Sequence, residues 1–85
     1  MLIRGVVTGR DGSTLDGAVV SFVETPTDVA DIAAVTGDDG TFVVVAPEAG
    51  RYRLAVRADE HLPIHVDIDV GHDADVTVEV TLSPG

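Results

Sequence analysis

The segment Thr36-Gly37-Asp38-Asp39-Gly40-Thr41-Phe42 joins two apolar runs, Ile32–Val35 before it and Phe42–Ala46 after it. Asp-Gly between apolar runs is the strongest short-range signal for a β-hairpin, because the turn needs a positive φ that glycine adopts without steric cost. The two runs are therefore expected to be the arms of a hairpin. The other apolar runs read as strands added to it.

Those runs are short and rich in β-branched residues. Sixteen valines and four isoleucines suit a pleated, half-buried surface. Seven strands are expected, at about residues 2–8, 18–24, 32–36, 41–46, 51–57, 64–70 and 76–82. The fifth places Tyr52, Leu54 and Val56 on one side and Arg51, Arg53 and Arg57 on the other. The sixth places Ile64, Val66, Ile68 and Val70 inward with His65, Asp67 and Asp69 outward. The seventh repeats this, with Val76, Val78, Val80 and Leu82 inward. Turn residues punctuate the runs, as at Gly9-Arg10-Asp11-Gly12-Ser13, Pro47-Glu48-Ala49-Gly50 and Asp59–Pro63. Thr27–Ala34 is the one window with a helical start signal, but its apolar residues lead straight into the Gly40 turn, so a loop entering a strand is preferred. Short strands with closely spaced turns predict a two-sheet sandwich with a valine-lined core and polar exteriors.

The chain has 85 residues, enough for a single domain spanning 1–85, and no cysteine for a disulfide framework or thiolate chemistry. Fifteen acidic residues stand against five arginines and no lysine, giving a net charge of −10. A nucleic-acid partner is disfavoured, since phosphate recognition needs a basic face, and so is an anionic membrane. The charge favours solubility and opposes self-association. No apolar run approaches the ~20 residues of a membrane helix. Met1–Val7 lacks the features of a signal peptide, so the chain as given is expected in the cytoplasm, or outside the cell if processed from a longer precursor.

The order of motifs carries a family likeness. Gly5-Val6-Val7, Asp11-Gly12 and Leu15-Asp16-Gly17-Ala18-Val19-Val20 come first; Thr36–Phe42 follows, then Pro47–Gly50 and Tyr52-Arg53-Leu54-Ala55-Val56. This resembles the carboxypeptidase regulatory-like domain, a transthyretin-like (prealbumin-type) sandwich, over nearly the whole chain. The usual aromatic-glycine ending of the fifth strand region is replaced by Ala58-Asp59-Glu60-His61-Leu62. The resemblance implies an all-β, seven-stranded antiparallel Greek-key β-sandwich. It also implies a non-catalytic accessory module that acts through its surfaces, as an adaptor or docking subunit. A transthyretin-like hydrolase acting on hydroxyisourate needs histidines, an arginine and a tyrosine-arginine-glycine-serine tail. Here the tail position reads Thr81-Leu82-Ser83-Pro84-Gly85, so no enzymatic activity is expected.

His65 and Asp67 lie two apart on one strand face and offer two metal ligands, with His61 a third nearby in sequence. Solvated side chains on an exposed face account for the same residues. Asp38, Asp39, Asp73 and Asp75 sit in turns, where carboxylates bond nearby backbone N–H groups; the full calcium-loop pattern is absent. Ser13, Ser21 and Ser83 lie in no nucleophile motif. Arg51, Arg53 and Arg57 form the only basic cluster and are expected to pair across strands with carboxylates. No catalytic residue and no cofactor is therefore assigned. The expected contact surface is a sheet edge offering backbone groups to another protein, with the chain a monomer or weak homo-oligomer. A spacer subunit of a larger assembly or cell-surface array, and a small metal- or ligand-binding protein, are the alternatives.

Overall fold

A computed structural model describes residues 2–25, 33–72 and 75–85. Among these residues seven strands form in the expected places: β1 (Leu2–Gly9), β2 (Val19–Glu24), β3 (Ala33–Val35), β4 (Thr41–Val45), β5 (Gly50–Arg57), β6 (Ile64–Val70) and β7 (Val76–Leu82). They make two sheets, ordered β4-β1-β7 and β3-β2-β5-β6. The window weighed as a helix falls mostly outside the described residues, and its last two residues begin β3.

The turn forms as its sequence requires. Gly40 N–H donates to the Gly37 carbonyl at 2.9 Å, and Gly40 has φ 74°. A side chain there would also meet the Val7 carbonyl oxygen at 2.7 Å, so glycine is needed for space as well as for conformation. Asp39 Oδ1 accepts from both Thr41 N–H, at 3.1 Å, and Thr41 Oγ1, at 2.7 Å. The arms, however, do not pair with each other. β3 joins β2 in the four-stranded sheet, and β4 joins β1 in the three-stranded sheet. The reason lies next to the turn. Thr36 is buried; its N–H donates to the Ala18 carbonyl, its hydroxyl donates to the Leu15 carbonyl at 2.6 Å, and the same oxygen accepts from Ala18 N–H at 2.9 Å. Across the turn, Val7 N–H donates to the Gly40 carbonyl. Each arm is thus fastened to a different sheet, and the loop becomes a corner of the sandwich.

Pairing is antiparallel for β1–β4, β2–β3, β2–β5 and β5–β6, as expected, with a register shift between Phe22 and Glu24. One pair departs from the antiparallel pattern: β1 and β7 run parallel, from Ile3↔Val76 to Gly9↔Leu82. The rest of the chain lies between these strands, so no hairpin constrains their relative direction.

The inner faces close on one core. Ile3, Val7, Val20, Phe42, Tyr52, Leu54 and Leu82 are among its buried side chains. Tyr52 is fully buried, with its hydroxyl donating to the Glu48 carbonyl at 2.6 Å and its ring tilted 41° against Phe22 at 5.4 Å. Ile64, Val66, Val76 and Val78 are half-buried at the margin of the core. One end of the sandwich is latched across both sheets. Leu62 N–H donates to the Ser83 carbonyl, and Gly85 N–H to the Glu60 carbonyl, tying the tail after β7 to the β5–β6 connection.

Candidate functional site

The two outer faces differ in kind. On the four-stranded sheet, antiparallel register sets Arg51 opposite Asp69 and Arg53 opposite Asp67. The ion pairs follow, at 3.1 Å and 2.8 Å, and Glu24 approaches Arg53 from β2 at 3.5 Å. The Arg53 guanidinium, chiefly through its hydrogen bond, holds the Asp67 carboxyl below the usual carboxylate range. Arg53 itself is raised for the same reason. The pairing expected for Arg51 and Arg53 is present, whereas Arg57 stands opposite Val19. These exposed pairs add little stability; they charge the β5–β6 half of this face, while Val35 on the other edge strand, β3, is also exposed.

The outer face of the three-stranded sheet is polar on β1 and β7, as expected, but not along β4. β4 reads Thr-Phe-Val-Val-Val, so alternation buries Phe42 and Val44 and leaves Val43 and Val45 53 % and 54 % exposed. Arg4 of β1 lies beside Val43 of β4 on one side and Thr77 of β7 on the other; Glu79 lies in the next row, beside Val6. A shallow groove of about 290 Å³ runs across these residues, floored by Gly5 and Phe42.

Among the described residues, β4 is also an edge strand. The Gly40 carbonyl accepts from β1, whereas the Thr41 carbonyl accepts from Gly37 on the far side. Since backbone groups alternate along an antiparallel strand, Val43 and Val45 also direct their N–H and C=O groups away from β1. Neither makes a hydrogen bond outside the strand ladder among the described residues. β4 carries no charge and no proline, the common devices that protect an edge. On the opposite side of the molecule, edge strand β6 carries His65, Asp67 and Asp69. The continuous apolar run Phe42–Ala46 was the available sequence signal, because a strand apolar on both faces must expose one of them unless it is covered.

The residues weighed as metal ligands do not converge. His65 and Asp67 share the exposed face of β6, as expected, but Asp67 is engaged by Arg53. His61 lies at the latched end with its ring Nδ1 2.8 Å from the Asp59 carbonyl oxygen. His72 follows the opposite end of β6. Among the described residues, no group of three or more His, Cys, Asp or Glu side chains is placed to hold a metal ion. Of the acidic turns, Asp39 bonds Thr41 as its turn chemistry predicts, and Asp75 Oδ1 accepts from Leu2 N–H; Asp73 lies outside the described residues.

One grouping was not anticipated. Asp11, Ser13 and His61 line a cavity of about 410 Å³ at the latched end, with Arg10, Leu15 and Pro84. Ser13 Oγ donates directly to Asp11 Oδ1 at 2.7 Å, and that bond, with Ser13 N–H on the same oxygen, holds the Asp11 carboxyl below its usual range. A nucleophile relay runs from serine to histidine to carboxylate. Here serine binds the carboxylate and the bonded histidine nitrogen faces a backbone carbonyl, so these contacts build a turn rather than a relay.

The sequence model of the carboxypeptidase regulatory-like domain matches residues 2–83. No curated protein matches. Among solved structures, a streptococcal ancillary pilin is similar over 99 % of this chain and 32 % of its own, at 15 % identity and a TM-score of 0.78. A chain of a type II cohesin–X-dockerin complex from Acetivibrio cellulolyticus is similar over 100 % of this chain and 58 % of its own, at 20 % identity and a TM-score of 0.74. The 5-hydroxyisourate hydrolase of Klebsiella pneumoniae is similar over 100 % and 92 %, at 20 % identity and a TM-score of 0.69. At such identities the likeness is one of fold. The chain spans about a third of the pilin and under three-fifths of the cohesin-complex chain. No helix among the described residues is long and apolar enough to cross a membrane.

Proposed function

The chain belongs to the carboxypeptidase regulatory-like domain family, and from that membership we propose that it is a non-catalytic accessory module that docks another protein through β4 and the adjoining outer face. The observation that carries this is the contrast between β4 and the β5–β6 half of the other sheet. In a chain of net charge −10, β4 exposes Val43 and Val45 side by side and carries no charge, while β5 and β6 carry a ladder of ion pairs. An uncharged edge offers a partner both backbone hydrogen bonds and apolar contact. Docking rather than catalysis is supported by the bond from Ser13 Oγ to the Asp11 carboxylate, which ties that serine into its turn.

Site-specific photocrosslinking in the native host tests the proposal. A crosslinker at Val43 is expected to capture one defined protein, and one at Asp69 on the charged face is not. Equal capture at the two positions, or none at Val43, counts against it.

A spacer role within a larger assembly has its own support. β1 and β7 are adjacent and parallel, so the chain enters near Leu2 and leaves beyond Leu82 at the far end of the sandwich. Seven residues of strand separate these points by roughly 20–25 Å. Such a module can be strung in series, as suits its likeness to part of an ancillary pilin.

A further inference from the structure

We infer that the partner of β4 is an extended polypeptide segment with an apolar, alternating centre of about five residues and basic residues at both ends. This rests on the docking function proposed above and names the chemistry of its occupant. β4 is five uncharged residues long. Asp38 and Asp39 precede it in the turn at one end, and Glu48 follows it in the turn at the other; all three are exposed. A strand added beside β4 would bond the outward backbone groups of Val43 and Val45. It would set small or β-branched side chains against Thr41, Val43 and Val45. Its ends would then lie beside the two acidic turns.

The same placement disfavours a second copy as the occupant. If two β4 strands paired antiparallel about Val43, each Asp38–Asp39 turn would lie beside the other copy's Glu48. Carboxylates would then face carboxylates at both ends of the pairing, between molecules that each carry −10. Lysine or arginine at the ends of a foreign strand converts that repulsion into attraction and raises the rate of encounter.

The test uses the whole chain and three synthetic peptides. The first has a Val-Thr-Val-Thr-Val centre with two lysines at each end. The second has glutamates in place of the lysines. The third keeps the lysines but has proline at the central position. Amide NMR shifts and hydrogen exchange locate binding, and fluorescence anisotropy measures it at low and high salt. The lysine-flanked peptide is expected to shift and protect the Val43 and Val45 amides. It should bind at least about tenfold more tightly than the glutamate-flanked one, and weaken as salt rises. The proline peptide is expected not to protect β4. Asp38→Asn with Glu48→Gln removes charge from exposed side chains and should narrow the preference for lysine several-fold.

Equal binding of the two charge types overturns the inference, as does equal binding of the proline peptide or protection at β6 or β7 instead of β4. Sedimentation showing β4-dependent dimers at working concentration overturns it in favour of a second copy. If no peptide protects β4 yet a crosslinker at Val43 still captures a protein, the strand chemistry is wrong and docking stands; if both fail, both are wrong.

Discussion

Gly5 lies directly beneath the ring of Phe42, its register partner across the β1–β4 ladder. A Cβ at position 5 would stand 2.5 Å from Phe42 Cε1 and Cζ and 2.8 Å from the Val78 carbonyl oxygen. The missing side chain makes room for the ring, and the ring shields the glycine backbone. Gly5→Ala is expected to destabilise the fold by about 1–3 kcal/mol through overpacking. Phe42→Ala is expected to cost about 3–5 kcal/mol through the cavity it leaves. The two residues touch, so Gly5→Ala combined with Phe42→Leu should cost less than the sum of Gly5→Ala and Phe42→Leu made singly. Denaturant unfolding of the four proteins checks this, and strict additivity would contradict it.

Thr36 fastens the corner between the sheets. Its hydroxyl donates to the Leu15 carbonyl and accepts from Ala18 N–H, both close to the core. Thr36→Val keeps the shape but leaves those two backbone groups without their partner. Leaving buried polar groups unmade costs about 1–3 kcal/mol. Thr36→Ser, which keeps the oxygen, should recover most of the loss. Thermal unfolding of both variants is the measurement, and equal stability of valine and serine would remove the proposed role.

Acid should weaken the surface network in a defined window. Hydrogen bonds from Arg53 to Asp67, and from Thr41 to Asp39, hold these carboxyls below their usual range. A carboxyl whose pKa is lower folded than unfolded contributes stability that is fully present above the unfolded value, about 4, and lost as pH falls through the folded value. Unfolding midpoints are therefore expected to fall below about pH 4. Asp67→Asn and Asp39→Asn should each make that fall shallower. Both groups are exposed, so the effect is modest and shrinks in salt. An unchanged acid slope in the double variant would show that other groups control it.

Val43 gives a direct test of the edge. It is half-exposed, so Val43→Lys should change stability by no more than about 0.5 kcal/mol. A lysine on an edge strand discourages a further strand from adding there. Capture of a partner at β4 should be lost, while the melting temperature and the amide spectrum of β5 and β6 are retained. Full partner binding by a folded Val43→Lys protein would place the interface elsewhere.

Much of the fold was legible locally. Alternation in β5, β6 and β7 placed Tyr52, Leu54, Val56, Ile68, Val70, Val80 and Leu82 on the inner faces, and all seven are buried. Turn chemistry identified the reversal at Gly40 and the local bonding of Asp39. Cross-strand pairing of Arg51 and Arg53 also followed, because opposite charges faced the same side of neighbouring strands. The candidate site was less legible. Val43 and Val45 lie in a run without alternation, which cannot say which face is covered.

Residue order alone settled that this chain forms short strands and, in the alternating β5, β6 and β7, which side chains face the core, because side-chain direction repeats every two residues whatever the neighbours. It could not say that the arms of the Gly40 turn join different sheets, that β1 and β7 run parallel, or that β4 ends as an uncharged edge. Those outcomes depend on bonds between residues far apart in the chain, such as Thr36 with Ala18 and Val7 with Gly40. A strand's periodicity fixes which side chains it can bury; which strand it lies beside is fixed only when the whole core closes.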